Sequence, residues 1–182
     1  MRRSISILYI LIVGYAQAQI GDAFPAMEAE SLSNEFINLP EDVGGKYTIL
    51  GLAYSKKSEK ALQSWFEPGY NQFIYEPETP SLFAGRYDVH LYFIPMFTGA
   101  KRPAYKKVMK KVEATIDVRL RPYVLFYKGT IREYKNALNF AGKDIPYFFI
   151  LDPAGKIIHM TSGFYSDRKM QEIVDLVEPA WK

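Results

Sequence analysis

The sequence predicts an α/β domain, because strand and helix signals alternate along the chain and end in a strand, turn, strand and helix. Pro146 opens this run, and a proline is tolerated at the first position of a strand because it has no N–H for the ladder. Residues 147–151 form the continuous apolar segment typical of a strand buried on both faces. The Asp-Pro-Ala-Gly sequence of 152–155 has the chemistry of a type I turn, and 156–160 is the predicted return strand.

The preceding elements follow from apolar periodicity and from turn residues. Residues 105–112 carry apolar side chains at the i, i+3, i+4, i+7 spacing of a helix that buries one stripe. In order, the predicted elements are strand 47–54, a helix from about Ser58 that Pro68-Gly69 ends or kinks, strand 89–97, a helix from Pro103, an ambiguous segment at 122–129, the hairpin described above and a last helix capped by Ser166.

The N-terminus has the three parts of a secretory signal peptide. Arg2 and Arg3 provide the positive region, residues 5–13 the apolar core, and Ala16-Gln17-Ala18 the small-residue cleavage site. We therefore expect a signal peptide at 1–18, a single domain at 19–182, and a soluble periplasmic or extracellular protein. A retained anchor is the alternative, although the apolar core is shorter than the ~20 residues that span a bilayer.

The chain contains no cysteine. Disulfides, thiol chemistry and the cysteine-linked lipid of a lipoprotein are therefore all excluded. This composition is unusual for an exported protein, because oxidising compartments permit disulfides. Packing alone must stabilise the domain, and about 160 residues are enough for one core.

Three segments, 21–25, 47–61 and 144–178, resemble the thioredoxin-like superfamily, in particular the branch of peroxiredoxins and exported thiol–disulfide oxidoreductases. The spacing from Tyr134 to Gly163 is more weakly similar to the mitochondrial ATP synthase assembly-factor branch. The resemblance implies a three-layer sandwich with a mixed central sheet, helices on both faces and an N-terminal hairpin extension. It also implies a cis bond between Ile145 and Pro146.

In redox-active members of that superfamily, the first strand leads into two cysteines at a helix N-terminus. The resemblance brings Ser58 and Ala61 near those two positions. A serine cannot form a disulfide, and its hydroxyl is a poor nucleophile without an adjacent base. We expect Ser58 to be a helix N-cap, a role worth ~1 kcal/mol.

Other chemistries have little support in the sequence. His90 and His159 are the only histidines, and neither has a second ligand at metal spacing. Ser58, His159 and Asp152 could compose a triad, but no nucleophile-elbow motif accompanies them. No glycine-rich phosphate loop is present. We predict no metal, no cofactor and no catalytic residue, and whether the protein is an enzyme stays open.

Two function classes follow. The first is a redox-inactive binding or assembly module that holds a peptide or protein partner in a groove between the 55–58 loop and Pro146. The second is an enzyme of non-thiol chemistry on the same frame, which clustered titratable groups with perturbed pKa values would favour. The residues expected to line the groove are Tyr54, Ser55, Lys57, Ser58, Ile145, Pro146 and Tyr147.

A second candidate surface lies on the helix that follows Pro103. We call Lys106, Lys107, Lys110 and Lys111 the basic face. A run of lysines is usually only a solvated surface. The functional alternatives are that it binds an acidic surface of a partner protein or anionic lipid headgroups. The formal charge of +3 falls to about +1 once Arg2 and Arg3 are removed, which argues against general binding to nucleic acid or membranes.

Cleavage after Ala18 is directly measurable. We expect the protein isolated from its cell to begin at Gln19, because the small residues at 16 and 18 suit the peptidase. Intact-mass measurement of the cellular protein tests this expectation. A mass that retains Arg2 and Arg3 would support the anchored alternative.

Overall fold

A seven-stranded mixed sheet forms the centre of the computed structural model, which describes residues 20–76 and 87–177. The predicted signal peptide lies outside these residues. The strand order is β2-β1-β5-β4-β3-β6-β7, in which β3–β4 and β4–β5 are parallel and the other neighbouring pairs are antiparallel. The strands are β1 (Met27–Ser31), β2 (Phe36–Leu39), β3 (Tyr47–Ala53), β4 (Val89–Thr98), β5 (Leu125–Gly129), β6 (Tyr147–Leu151) and β7 (Ile157–Ser162).

Helices connect the strands and cover the sheet. Short 3-10 helices occur at Glu41–Val43, Gly99–Ala104 and Val118–Tyr123. The α-helices are α1 (Lys56–Gln63), α2 (Phe66–Phe73), α3 (Tyr105–Thr115), α4 (Arg132–Ala137) and α5 (Asp167–Val174).

Both faces of the sheet are buried, which gives three layers. Successive side chains of a strand point to opposite faces. In β3, Leu50 and Leu52 join the core cluster on the α4 side, whereas Ile49 and Ala53 join the cluster on the side of α1, α2, α3 and α5. The predicted fold class, a mixed sheet with helices on both faces, is confirmed.

The N-terminal extension is also as expected. β1 and β2 form a hairpin whose turn includes Asn34 at a φ of +62°, and β1 joins the main sheet by pairing with β5. The lead-in before β1 lies against the start of β7, where the N–H of Gly21 donates to the carbonyl of Ile157 at 2.7 Å. The extension therefore contacts both halves of the sheet.

Three local expectations are corrected. α1 begins at Lys56 with Ser55 as its N-cap, three residues before the cap expected at Ser58. Pro68 lies in the first turn of α2, where its missing N–H needs no partner, so it ends no helix. The Ile145–Pro146 bond is not cis: among the described residues, the cis peptide bond is Leu39–Pro40. Sequence carries little information about this isomer, because the trans form of an X–Pro bond is favoured by only ~0.5–1 kcal/mol.

Gly51 in β3 provides a test of how tightly the sheet packs. A Cβ at this position would lie 2.6 Å from Cε1 of Phe148 and 2.8 Å from Cδ1 of Leu62, and both side chains are buried. We expect Gly51→Ala to lower the free energy of unfolding by ~1–3 kcal/mol, because overpacking forces neighbours off their rotamers. Chemical denaturation of the purified variant measures the change.

Gly44→Ala is the matched control. Its Cβ would meet the carbonyl oxygen of Glu41 at an ordinary 3.6 Å, and its φ of −59° suits alanine. We expect a change within about 0.5 kcal/mol, as at most surface positions. Equal effects of the two substitutions would contradict the packing described for Gly51.

Candidate functional site

Two serines, Ser55 and Ser58, cap the N-terminus of α1. The backbone N–H of Ser58 donates to Oγ of Ser55 at 3.0 Å, and the N–H of Ser55 donates to Oγ of Ser58 at 2.9 Å. This reciprocal pair is a capping box, which satisfies two donors at the helix N-terminus. Ser58 is fully buried, and its hydroxyl donates to the carbonyl of Ser55 at 3.0 Å. Ser58 therefore stabilises the helix from its third position.

Asp144, which was not among the predicted site residues, completes this arrangement. The hydroxyl of Ser55 donates to Oδ1 of Asp144 at 2.9 Å, and Nζ of Lys57 lies 3.9 Å from Oδ2. A carboxylate beside the N-terminus of a helix is favoured by the helix dipole. The position of Asp144 in the loop before Pro146 was a possible signal, but its contact with Ser55, 89 residues away, depends on the tertiary fold.

Tyr54 and Tyr147 lie behind the surface and do not line an open groove. Both rings stack on Phe140, with centroid distances of 5.4 Å and 4.6 Å, and both hydroxyls donate to the carbonyl of Gly142 at 2.9 Å. Burial, with smaller contributions from Tyr147 and Asp144, raises the pKa of Tyr54. The two tyrosines therefore fix the loop that carries Asp144.

Two exposed apolar side chains lie at the end of the sheet where β6 begins and β7 ends. Pro146 is buried, and its carbonyl accepts the N–H of Gly163 at 2.9 Å, one step beyond the pairing of Tyr147 with Ser162. The next residues outward are Ile145 and Phe164, whose side chains are 38% and 61% exposed. Ile145 was among the residues predicted to line the groove and Phe164 was not, because the position of Phe164 near the start of β6 follows only from the pairing of β6 with β7.

Neighbouring side chains hold the Phe164 loop in place. Nε1 of Trp65 donates to the carbonyl of Gly163 at 3.0 Å, and Nζ of Lys169 donates to the carbonyl of Phe164 at 2.8 Å. The N–H of Tyr165 donates to Oγ of Ser64 at 3.0 Å. Phe164 is therefore a large exposed aromatic side chain on a fixed backbone.

The basic face is smaller than expected. Lys106 forms an ion pair with Glu30, a carboxylate whose side chain is only 7% exposed. Burial disfavours the charged form of Glu30, but the hydrogen bonds from Lys106 and Tyr105 outweigh it and lower the pKa of this carboxyl. Lys106 is therefore already paired with an acidic residue of β1. The remaining residues, Lys107, Lys110 and Lys111, are exposed, and we call them the outer lysines.

The remaining candidate residues are the two histidines, Asp152 and Ser58, and the structure places each of them among defined neighbours. Burial is the main cause that lowers the pKa of His90. Nε2 of His159 lies 3.9 Å from a carboxylate oxygen of Glu172. Oδ1 of Asp152 accepts two backbone N–H groups of its own turn, and Ser58 is occupied by the cap, so neither is arranged as part of a triad. Within 20–76 and 87–177, no group of three or more His, Asp or Glu residues could hold a metal ion.

The helices of the described residues are all too short or too polar to cross a membrane. No protein-family model matches this sequence, and no match was found among the curated proteins compared with it.

Solved structures of other proteins match the structure of this chain. A candidate thiol:disulfide interchange protein DsbE from Chlorobium tepidum is 15% identical, with a TM-score of 0.58 over 89% of this chain and 100% of its own. BsSco, a member of the Sco family of cytochrome c oxidase assembly proteins, is 11% identical, with a TM-score of 0.57 over 88% and 94%. The exposed lipoprotein thioredoxin Etrx1 from Streptococcus pneumoniae is 11% identical, with a TM-score of 0.51 over 83% and 99%. Together with the sheet order and the three layers, these matches show that this cysteine-free chain has a thioredoxin-like fold.

Proposed function

We propose that the protein is an exported, redox-inactive binding or assembly module that holds an extended peptide segment of a protein partner beside Pro146. The observation that carries this proposal is the pair of exposed apolar side chains, Ile145 and Phe164, on backbone that the sheet and Trp65 hold in place. A fixed, exposed aromatic residue can bury apolar area on binding with little loss of conformational entropy.

The backbone beside these side chains supports strand addition. Within the described residues, neither the N–H nor the carbonyl of Ile145 makes a hydrogen bond. An extended peptide would pair with these groups, and its side chains would contact Phe164 and Ile145. Backbone pairing supplies affinity that is independent of sequence, and the apolar contacts supply selectivity.

The N-terminus of α1 supports a role without covalent chemistry. A thiol–disulfide cycle needs a thiolate at this position, and the chain has no cysteine. The capping box and Asp144 occupy the same end of the helix. The alternative class, an enzyme of non-thiol chemistry, gains no support there, because Ser55 and Ser58 are engaged in the cap and burial raises the pKa of Tyr54.

Export is part of the proposal for two reasons. The sequence of residues 1–18 has the pattern of a signal peptide. In addition, one solved structure of the same fold is described as an exposed lipoprotein thioredoxin, and another as a member of a family of assembly proteins. Those descriptions belong to proteins of low identity, and they make a surface or assembly role a reasonable hypothesis for this chain.

Phe164→Ala tests the binding surface. A peptide selected on the protein from a displayed library is titrated against the wild type and the variant by calorimetry. We expect the variant to bind at least about tenfold more weakly, because truncating a central aromatic anchor typically costs ~2 kcal/mol or more. Its folding should be unaffected, because the side chain is mostly exposed.

Phe36→Ala is the matched control, since Phe36 is 60% exposed and lies on β2 at the opposite edge of the sheet. We expect its affinity to stay within about twofold of the wild type, as for residues outside an interface. If Phe36→Ala weakens binding and Phe164→Ala does not, the binding surface is elsewhere and the proposal is wrong.

The redox-inactive part of the proposal has its own test. We expect the purified protein to give no turnover above the buffer rate in insulin-reduction and peroxide-consumption assays, because each cycle passes through a thiolate. A thioredoxin assayed in parallel serves as the positive control. Turnover by this chain alone would refute redox inactivity.

A further inference from the structure

The outward side of α3 is cationic. Tyr105 and Met109 are buried against the core, and the outer lysines lie on the opposite side of the helix, at positions 107, 110 and 111. All three are exposed, and within the described parts of the chain none of them forms an ion pair. This side of the helix therefore presents three uncompensated positive charges to solvent.

The arrangement is electrostatically unfavourable in the isolated protein. Lys107 and Lys111 are a like-charge i, i+4 pair, which destabilises a helix. The first turn of α3 contains Lys106 and Lys107 and no acidic residue, although the positive end of the helix dipole favours anions there. An anionic partner would relieve both repulsions.

Glu30 cannot supply that compensation, because Lys106 and Tyr105 already bind its two carboxylate oxygens. This buried contact fixes α3 against β1. The outer lysines are thus carried by a helix that buried contacts hold in place.

The chemistry of this surface fits lipid headgroups better than a protein. Protein interfaces have an apolar core in which lysine is depleted. No residue of α3 is among the exposed large apolar side chains of residues 20–76 and 87–177. The apolar crevice beside α3 is lined by Val108 and Val112, which are on the inner side of the helix. Compact ammonium groups on flexible stems suit a diffuse layer of phosphates and not a shaped site.

We propose that the outer lysines dock the protein on the surface of an anionic lipid bilayer. Because the mature chain carries a formal charge of only about +1, the attraction comes from this local cluster and not from the protein as a whole. Docking through α3 would orient the domain on the membrane without insertion. This inference is independent of the peptide-binding proposal, which concerns a different surface.

Co-sedimentation with lipid vesicles tests the inference on the full chain as purified from the expressing cell. Vesicles contain phosphatidylcholine alone or with about 30 mol% phosphatidylglycerol. We expect the wild type to bind the anionic vesicles, and Lys107→Gln/Lys111→Gln to lower its partition coefficient about 30-fold, since each lysine near such a surface contributes about fivefold. About 0.5 M salt should abolish the difference, because it screens the charges.

The matched control is Lys56→Gln/Lys60→Gln, which removes the same number of exposed charges at the same i, i+4 spacing on α1, and neither lysine forms an ion pair within residues 20–76 and 87–177. All three proteins share one N-terminus, so differences between them report the substituted helix. We expect the control to bind within about threefold of the wild type.

Three results would overturn the inference. Equal losses in the two variants would mean that net charge and not α3 causes the binding. Equal binding to neutral and anionic vesicles would mean that electrostatics has no part in it. Binding of the outer lysines to soluble polyglutamate, without binding to anionic vesicles, would mean that the surface fits an acidic protein.

Discussion

The burial of the central sheet on both faces is the constraint on which the rest of the structure depends. β3 lies between the parallel strand β4 and the antiparallel strand β6, so its side chains enter both cores. A polar side chain buried there costs free energy unless it has a hydrogen-bond partner, and within the described residues the hydroxyl of the buried Thr48 in β3 has none. The space at Gly51 is filled by Phe148 and Leu62. Variation that can serve function is therefore confined to the ends of the strands and to the outer sides of the helices.

The end of β3 illustrates how such a position can be used without thiols. The helix that follows β3 has unsatisfied N–H groups at its start, and these need acceptors. Here the acceptors are side chains of the chain itself: Ser55 and Ser58 cap the helix, and Asp144 accepts the hydroxyl of Ser55. The helix start is thus used to join α1 to the loop before β6. The apolar side chains beside this contact are then available for non-covalent recognition.

The proposed peptide-binding surface and the outer lysines are held in place by different kinds of contact. Phe164 is positioned by hydrogen bonds from Trp65 and Lys169 to backbone carbonyls of its loop. α3 is positioned by the buried contact of Glu30 with Tyr105 and Lys106, in which two hydrogen bonds offset the cost of burying a carboxylate. Both supports fix the backbone and leave the side chains proposed to bind, Phe164 and the outer lysines, exposed to solvent.

The sequence by itself determined the layers of this protein and the chemistry that it lacks. The apolar run of 147–151, the turn at 152–155 and the alternating faces of the strands are local patterns, and the absence of cysteine needs no structure to interpret. The tertiary structure decided which side chains meet, Asp144 with Ser55 and Lys106 with Glu30, and it placed β7 beside β6. The physical reason is that residue type and periodicity are set over a few neighbouring positions. Contacts between residues 75 to 89 positions apart instead depend on strand order and register. The same local pattern of residues is compatible with more than one strand order and register, so the pattern alone does not determine these contacts.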